Sequence, residues 1–384
     1  MADIGLNQNI TIREREFHIQ TATNIEDGLI RTEVFEKGRL LFSQEHKYER
    51  REKKEEDEGG ESRIRGVLAW FHKNVLSDLE TYLALSNILK TKNNSIAQYR
   101  LGRIFLALRI YDKAEKHLSL ALQIDPKYYS THISLARCFF FQQKYKEAEE
   151  LLQILIDEEI NYPDMFNLLG MILLEQKNYI QSLNHFRNAI RINPNYKEAY
   201  FNIAAAIFKR IYYLKTQHKD EEIQKNLEFL EVILNKIHKI GNAEDRSLII
   251  DLKKAFSAKN YGKIHSLIYD YRHRLFYQRI QPEILGYEFY LWLHYLSDRL
   301  DEIKLRSFEE KFSKLLKENS DYADIWNYMA LIHLLLCREH FLQGLNNFRE
   351  ATEINPEFTK AKNNLRLVEN DGREFLSLIK AIIS

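Results

Sequence analysis

Proline and cysteine are scarce in this chain of 384 residues, five of the first and two of the second. Cys138 and Cys337 cannot build a disulfide framework, which excludes the stapled secreted scaffolds and fits a reducing, intracellular setting. An excess of either charge is also missing: Lys+Arg 56 against Asp+Glu 55 leaves a net charge of +1. That balance argues against a protein that coats nucleic acid or an anionic membrane over its whole surface. The longest apolar run, WNYMALIHLLLC (326–337), is too short to span a bilayer and contains His333, so no membrane insertion is expected. The opening MADIGLNQNITIREREF lacks a basic segment followed by an apolar one, so no secretory signal is expected and the chain is read as cytoplasmic. Only 13 glycines, amid abundant Leu, Ile, Lys and Glu, predict a mostly helical protein.

Three of the few prolines stand in one local phrase: LALQIDPKYYSTHISLA (120–136), RNAIRINPNYKEAYFNIA (187–204) and REATEINPEFTKAKNNL (349–365). Counting back from Pro126 and Pro194 gives units that begin at Ser95, Tyr129, Pro163 and Lys197, each 34 residues after the last. Their seventh and eighth positions hold Leu101-Gly102, Leu135-Ala136, Leu169-Gly170 and Ile203-Ala204. The eleventh holds Phe105, Phe139, Leu173 and Ile207; the twentieth Ala114, Ala148 and Ser182; the twenty-fourth Leu118, Leu152 and Phe186. Small residues at eight and twenty let two antiparallel helices approach, and large apolar ones fill the space beside them. Proline ends one hairpin and launches the next.

This pattern resembles the tetratricopeptide repeat (TPR) family over 95–210, with Ile160 where the second unit would carry proline. A further unit is expected over 325–358, where Leu331, Leu335, Gly344, Phe348, Ala351 and Pro356 take corresponding positions. The resemblance implies a mainly α fold, a right-handed α-solenoid of helical hairpins. Between these regions, 211–320 reads as degenerate TPR-like pairs: a lengthened second helix over 211–242 with a polar break at 216–222, then pairs at 244–277 and 282–318. The tail, 359–384, has the period of capping helices.

The N-terminal region has a different period. Residues 1–47 alternate apolar and polar, with a hairpin turn at Glu36-Lys37-Gly38, and predict a small antiparallel β-meander of three or four strands. The charged stretch 48–63 is expected as a flexible linker. In 64–92 a long amphipathic helix follows, with Ile64, Val67, Leu68, Phe71, Val75, Leu79 and Tyr82 on one stripe; so small a sheet is expected to pack on this helix or on a partner.

Motifs for chemistry are wanting. GGESRIRG (59–66) lacks the Lys-Ser/Thr of a phosphate-binding loop, so no nucleotide cofactor is expected. His333, Cys337 and His340 share a helix face, but three ligands on one segment with no fourth do not make a zinc site, and no metal is expected. YDYRHRLFYQR (269–279) interleaves aromatics with Arg272, Arg274 and Arg279, a mixture suited to stacking on bases and contacting phosphate. It supports an alternative reading as an RNA- or nucleotide-responsive regulator.

The TPR resemblance places positions two, five, nine, twelve and thirteen of each first helix on a concave binding face. It therefore implies a peptide-binding groove containing Tyr99, Arg103, Ile133, Arg137, Phe140, Phe141, Asn167, Met171 and Phe201. The Lys/Asn/Arg clamp of chaperone-binding relatives would fall at Tyr99, Arg103, Asp164 and Leu168, which do not match it. The expected function is a non-enzymatic scaffold or adaptor that binds a peptide or helix of another protein. The β module would be a second contact. The sequence carries no signal of oligomeric state.

Overall fold

The computed structural model describes residues 4–24, 28–48, 58–258, 260–277, 282–318 and 322–383. It divides into two units, Met1–Arg279 and Ile280–Ser384. Among the described residues it is mainly α, with fifteen α-helices that follow a four-stranded antiparallel sheet.

Strands β1 (Gly5–Ile12), β2 (Arg15–Asn24), β3 (Leu29–Glu36) and β4 (Arg39–Lys47) form a meander in chain order. The β3–β4 turn uses Lys37 and Gly38 at positive φ (50° and 75°). The β1–β2 turn does the same with Arg13 and Glu14 (50° and 67°), without a glycine. Two left-handed residues give a turn whose twist matches that of the strands it joins. Phe17, Ile19, Thr21 and Thr23 of β2 and Ile30, Thr32 and Val34 of β3 alternate into a buried face.

Helix α1 (Glu58–Ile88) packs on that face through its own buried residues Ile64, Leu68, Phe71 and Val75. A polar bridge joins them at the centre: His72 Nδ1 lies 2.8 Å from Thr21 Oγ1, and His72 Nε2 lies 2.9 Å from Gln8 Oε1. The helix starts at Glu58, so residues 58–63 of the expected linker are helical; residues 49–57 of that stretch lie outside the described residues.

Three short hairpins follow: α2 (Ser95–Ala107) with α3 (Tyr111–Ile124), α4 (Tyr129–Phe141) with α5 (Tyr145–Asp157), and α6 (Pro163–Glu175) with α7 (Tyr179–Ile192). Arg109, Gln143 and Lys177 hold the same repeat position in the three turns, each in the left-handed region. The close approach predicted from the small residues is real. A Cβ added to Gly170 would stand 2.5 Å from the Phe186 ring, and one added to Gly102 2.7 Å from Leu118 Cγ. Phe186 is fully buried. Gly170→Ala is therefore expected to cost about 1–3 kcal/mol by overpacking, read as a lower midpoint in urea unfolding. An unchanged midpoint would show that the ring can move aside.

The fourth hairpin explains why the period fades. Helix α8 (Lys197–Thr216) has 20 residues against 13 in α6, and α9 (Asp220–Ile240) has 21 against 14 in α7. Both arms are thus longer by seven residues, close to two full turns, which keeps each apolar stripe on its original face. The extension expected in the second helix belongs to both, and the break falls at 217–219. Helices α10 (Ala243–Ser257) and α11 (Tyr261–Tyr277) complete the unit, with α11 packed on α8.

The sheet is tied to the first hairpin. Arg15 bonds Glu36 with Nε and Nη2 (2.7 and 2.9 Å) and reaches Asp112 of α3 with Nη1 and Nη2 (2.6 and 3.1 Å). Arg39 Nη2 donates to the Arg109 carbonyl (3.1 Å), and its guanidinium lies over the Tyr111 ring at 5.3 Å.

In the second unit, α12 (Pro282–Tyr295), α13 (Glu302–Glu318) and α14 (Ala323–Ile354) enclose the Phe289, Phe308, Phe312 and Tyr328 rings. The hairpin expected at 325–358 is instead one helix of 32 residues, α14, paired with α15 (Thr359–Ile383). No glycine, proline or asparagine interrupts Cys337–Phe341, where the turn would fall, and Phe341 packs on Phe375 of α15 at 5.1 Å. Asn355-Pro356 makes the turn between these two long helices.

Candidate binding groove

The first helices α2, α4, α6 and α8 touch one another in succession and form a continuous wall. Each of the last three begins at a tyrosine cap, Tyr128, Tyr162 or Tyr196, spaced by the repeat length. Two of these rings enter the wall. Tyr128 meets Tyr99 edge-on with centroids 4.9 Å apart. Tyr196 OH accepts from Asn167 Nδ2 at 3.4 Å. Sequence reading passed over these tyrosines, although their spacing was visible.

Of the nine residues expected in the groove, five are buried: Tyr99, Ile133, Asn167, Met171 and Phe201. They support the wall rather than face a ligand. Tyr99 OH accepts from Arg103 Nη1 (2.8 Å), which also holds the guanidinium near the ring face. Asn167 donates to Glu198 Oε1 (2.7 Å) and accepts from Asn202 Nδ2 (2.9 Å), so the third and fourth units share one polar network. Phe201 is covered by Tyr271 of α11, with ring centroids 4.0 Å apart. Position five of the fourth unit is therefore closed to a ligand.

Arg103, Arg137, Phe140 and Phe141 remain partly exposed. The Phe140 and Phe141 rings are 5.5 Å apart, and Phe141 stacks on Tyr111 at 5.9 Å. Arg137 makes no hydrogen bond or ion pair among the described residues. It lies within electrostatic range of the Tyr196 phenol. Burial, followed by Glu198, holds that phenol well above its ordinary range; Arg137 pulls the other way but does not prevail. The phenol stays protonated and so offers Arg137 no counter-charge.

The other sites read from sequence fare differently. Arg272 and Arg274 lie on α11, and Arg279 lies outside the described residues. Tyr271 of the same segment is buried and its hydroxyl is bonded to Asp245, so that ring is not free to stack on a base. His333 Nδ1 is 3.6 Å from Glu309 and His340 Nε2 3.9 Å from Glu302, both on α13. Among the described residues no group of three His, Cys, Asp or Glu side chains could hold a metal ion. None of the helices there is long and apolar enough to cross a membrane.

Family models described as tetratricopeptide repeat match residues 77–129, 105–172 and 163–196. The first reaches back into α1, ahead of the unit that begins at Ser95. Among solved structures, MamA is similar at 20% identity over 48% of this chain and 96% of that one, with a TM-score of 0.36. The pilF protein of Pseudomonas aeruginosa is 18% identical over 62% of this chain and 96% of its own, with a TM-score of 0.36. YrrB, described as a TPR protein with an unusual peptide-binding site, is 18% identical over 44% and 98%, with a TM-score of 0.30. Residues 77–196 of this chain thus form a tetratricopeptide repeat segment.

Proposed function

We propose that the chain is a non-enzymatic interaction scaffold whose first-helix wall, over the units beginning at Ser95, Tyr129 and Pro163, binds a peptide or helix with acidic and apolar side chains. The observation that carries this reading is Arg137, a partly exposed cation with no carboxylate partner on a wall that also offers Arg103, Phe140 and Phe141. An acidic side chain seated there would gain a charge-assisted hydrogen bond at a site whose own groups are already arranged. The neighbouring phenylalanines would take an apolar residue of the same ligand. The fourth unit contributes support through Glu198 and Asn202 but no open face, so the ligand is short. The β module is a second contact. The free cysteines, Cys138 buried with its thiol pushed up to about 12 by burial and Cys337 exposed, fit action in the cytoplasm.

The test is capture from native lysate by the full chain and by the Arg103→Glu, Arg137→Glu, Phe141→Ala triple variant. The expected result is one stoichiometric protein retained by the first and lost by the second, with helicity unchanged. Equal capture by both would place the contact elsewhere.

A further inference from the structure

The two edges of the N-terminal sheet are built differently. Strand β4 is guarded: it carries Arg39, Glu45 and Lys47, it faces a register break at Val34/Phe35, and its Arg39 is held on the first repeat turn. Strand β1, GLNQNITI, has eight residues in unbroken register with β2, no charged residue and no proline. Natural edge strands are normally protected by charge, proline or a bulge. Among the described residues only β2 and α1 pack substantially on β1, and five residues in succession, Gly5–Asn9, are exposed.

The ladder fixes which groups this edge presents. Thr23 N donates to the Ile4 carbonyl (3.0 Å), so Ile4 and Thr23 are a hydrogen-bonded pair. The alternation of antiparallel pairs then turns Leu6, Gln8, Ile10 and Ile12 toward β2 and leaves the N–H and C=O of Gly5, Asn7, Asn9 and Thr11 pointing outward. The side chains divide by the same parity. Gln8 reaches His72 and Ile12 is buried, so the even residues share the α1 face, where Leu6 is still 40% exposed. Asn7, Asn9 and Thr11 lie on the opposite, polar face.

We infer that β1 pairs antiparallel with β1 of a second copy of this chain, joining two sheets across a two-fold axis at Gln8. That register is the one that overlaps residues 4–12 completely. It sets Leu6 against the partner copy's Ile10 and Ile4 against its Ile12 on the apolar face, and Asn7 against its Asn9 on the polar face. Outward-pointing residues then bond outward-pointing residues, as an antiparallel ladder requires. With no charge on the strand, nothing repels at any pair. A strand of another protein would need the same alternation of apolar and polar residues, which β1 itself already supplies. The inference extends the reading of the β module as a second contact and is independent of the groove.

Sedimentation of the full chain tests it, from about 1 µM to about 500 µM, the range in which small interfaces associate. The wild-type mass is expected to double with concentration. Asn7→Lys/Asn9→Lys and Asn7→Glu/Asn9→Glu place like charges at two paired positions and are expected to stay monomeric with unchanged helicity. Mixed one to one, the two variants are expected to restore the dimer, an outcome that misfolding could not produce. A wild type that is monomeric throughout, variants that dimerise as it does, or a mixture that fails to associate would each overturn the pairing. The groove triple variant should dimerise normally, so failure of this inference and failure of the groove reading are separable.

Discussion

Acidification from pH 6.5 to 4 is expected to cost the N-terminal unit about 3 kcal/mol through His117 alone. This imidazole is fully buried among α1, α2 and α3, and its pKa is lowered from 6.5 to about 4 by burial, then by Lys113, Lys116 and Lys90. Its hydrogen bonds fix the neutral tautomer. Gln98 Nε2 donates to the Leu89 carbonyl (2.6 Å), so Gln98 Oε1 must accept from His117 Nδ1 (2.6 Å), and Nε2 accepts from Ser86 Oγ (2.8 Å). The unfolded chain takes up a proton near pH 6.5 that the folded one refuses until about pH 4. The unfolded state therefore binds more protons throughout that window, and stability falls as pH falls, levelling off below it. His72, His132 and His185 are also lowered by burial and act in the same direction. Urea unfolding at pH 7, 5.5 and 4 should show the decline, and His117→Gln should flatten it. A wild type equally stable at pH 7 and 4 would sink the assignment.

Asp245→Ala is expected to remove about 3–5 kcal/mol, the usual loss when one member of a buried charge pair is deleted. The Asp245 side chain is 2% exposed and accepts from Lys197 Nζ (2.8 Å), the Asn242 N–H (2.8 Å) and the Tyr271 hydroxyl. It ties the start of α8 to α10 and α11 and completes the capping box of α10. Burial alone would raise its pKa, but the bonds from Lys197, Tyr271 and Asn242 hold it below 3.8. Its contribution is therefore present above about pH 3.8 and is lost as pH falls through the lower folded value, beneath the His117 window. Asp245→Asn keeps one acceptor and should lose less. Equal losses from the two substitutions would show that a neutral acceptor at this position contributes nothing without the charge.

The three short hairpins were legible because their signals are local. Gly102, Ala136 and Gly170 face helices less than one repeat away, and the 34-residue period places them without knowledge of the rest of the chain. What sequence could not show depends on distant packing. Leu331, Gly344 and Ala351 fit repeat positions, yet nothing local breaks α14, and its partner α15 is set by the contact of Phe341 with Phe375. The turn at Arg13-Glu14 has no glycine to announce it. The groove list came from family geometry, which says where a residue points and not whether a later helix covers it. Phe201 is closed by Tyr271, 70 positions further on, and no periodicity within 95–210 encodes that.

The contact of Arg15 with Asp112 joins residues 97 positions apart in a part of the molecule that otherwise grows by neighbour-to-neighbour stacking. A linear stack of hairpins loosens first at its ends, because a terminal repeat has one neighbour where an interior repeat has two. The sheet gives the first hairpin a second neighbour, built from chain that folds by local turns before any long loop need close. Amide exchange along the first unit should accordingly be slow in α2 and α3, with opening shifted toward the later helices, and the array is given a direction in which it comes apart.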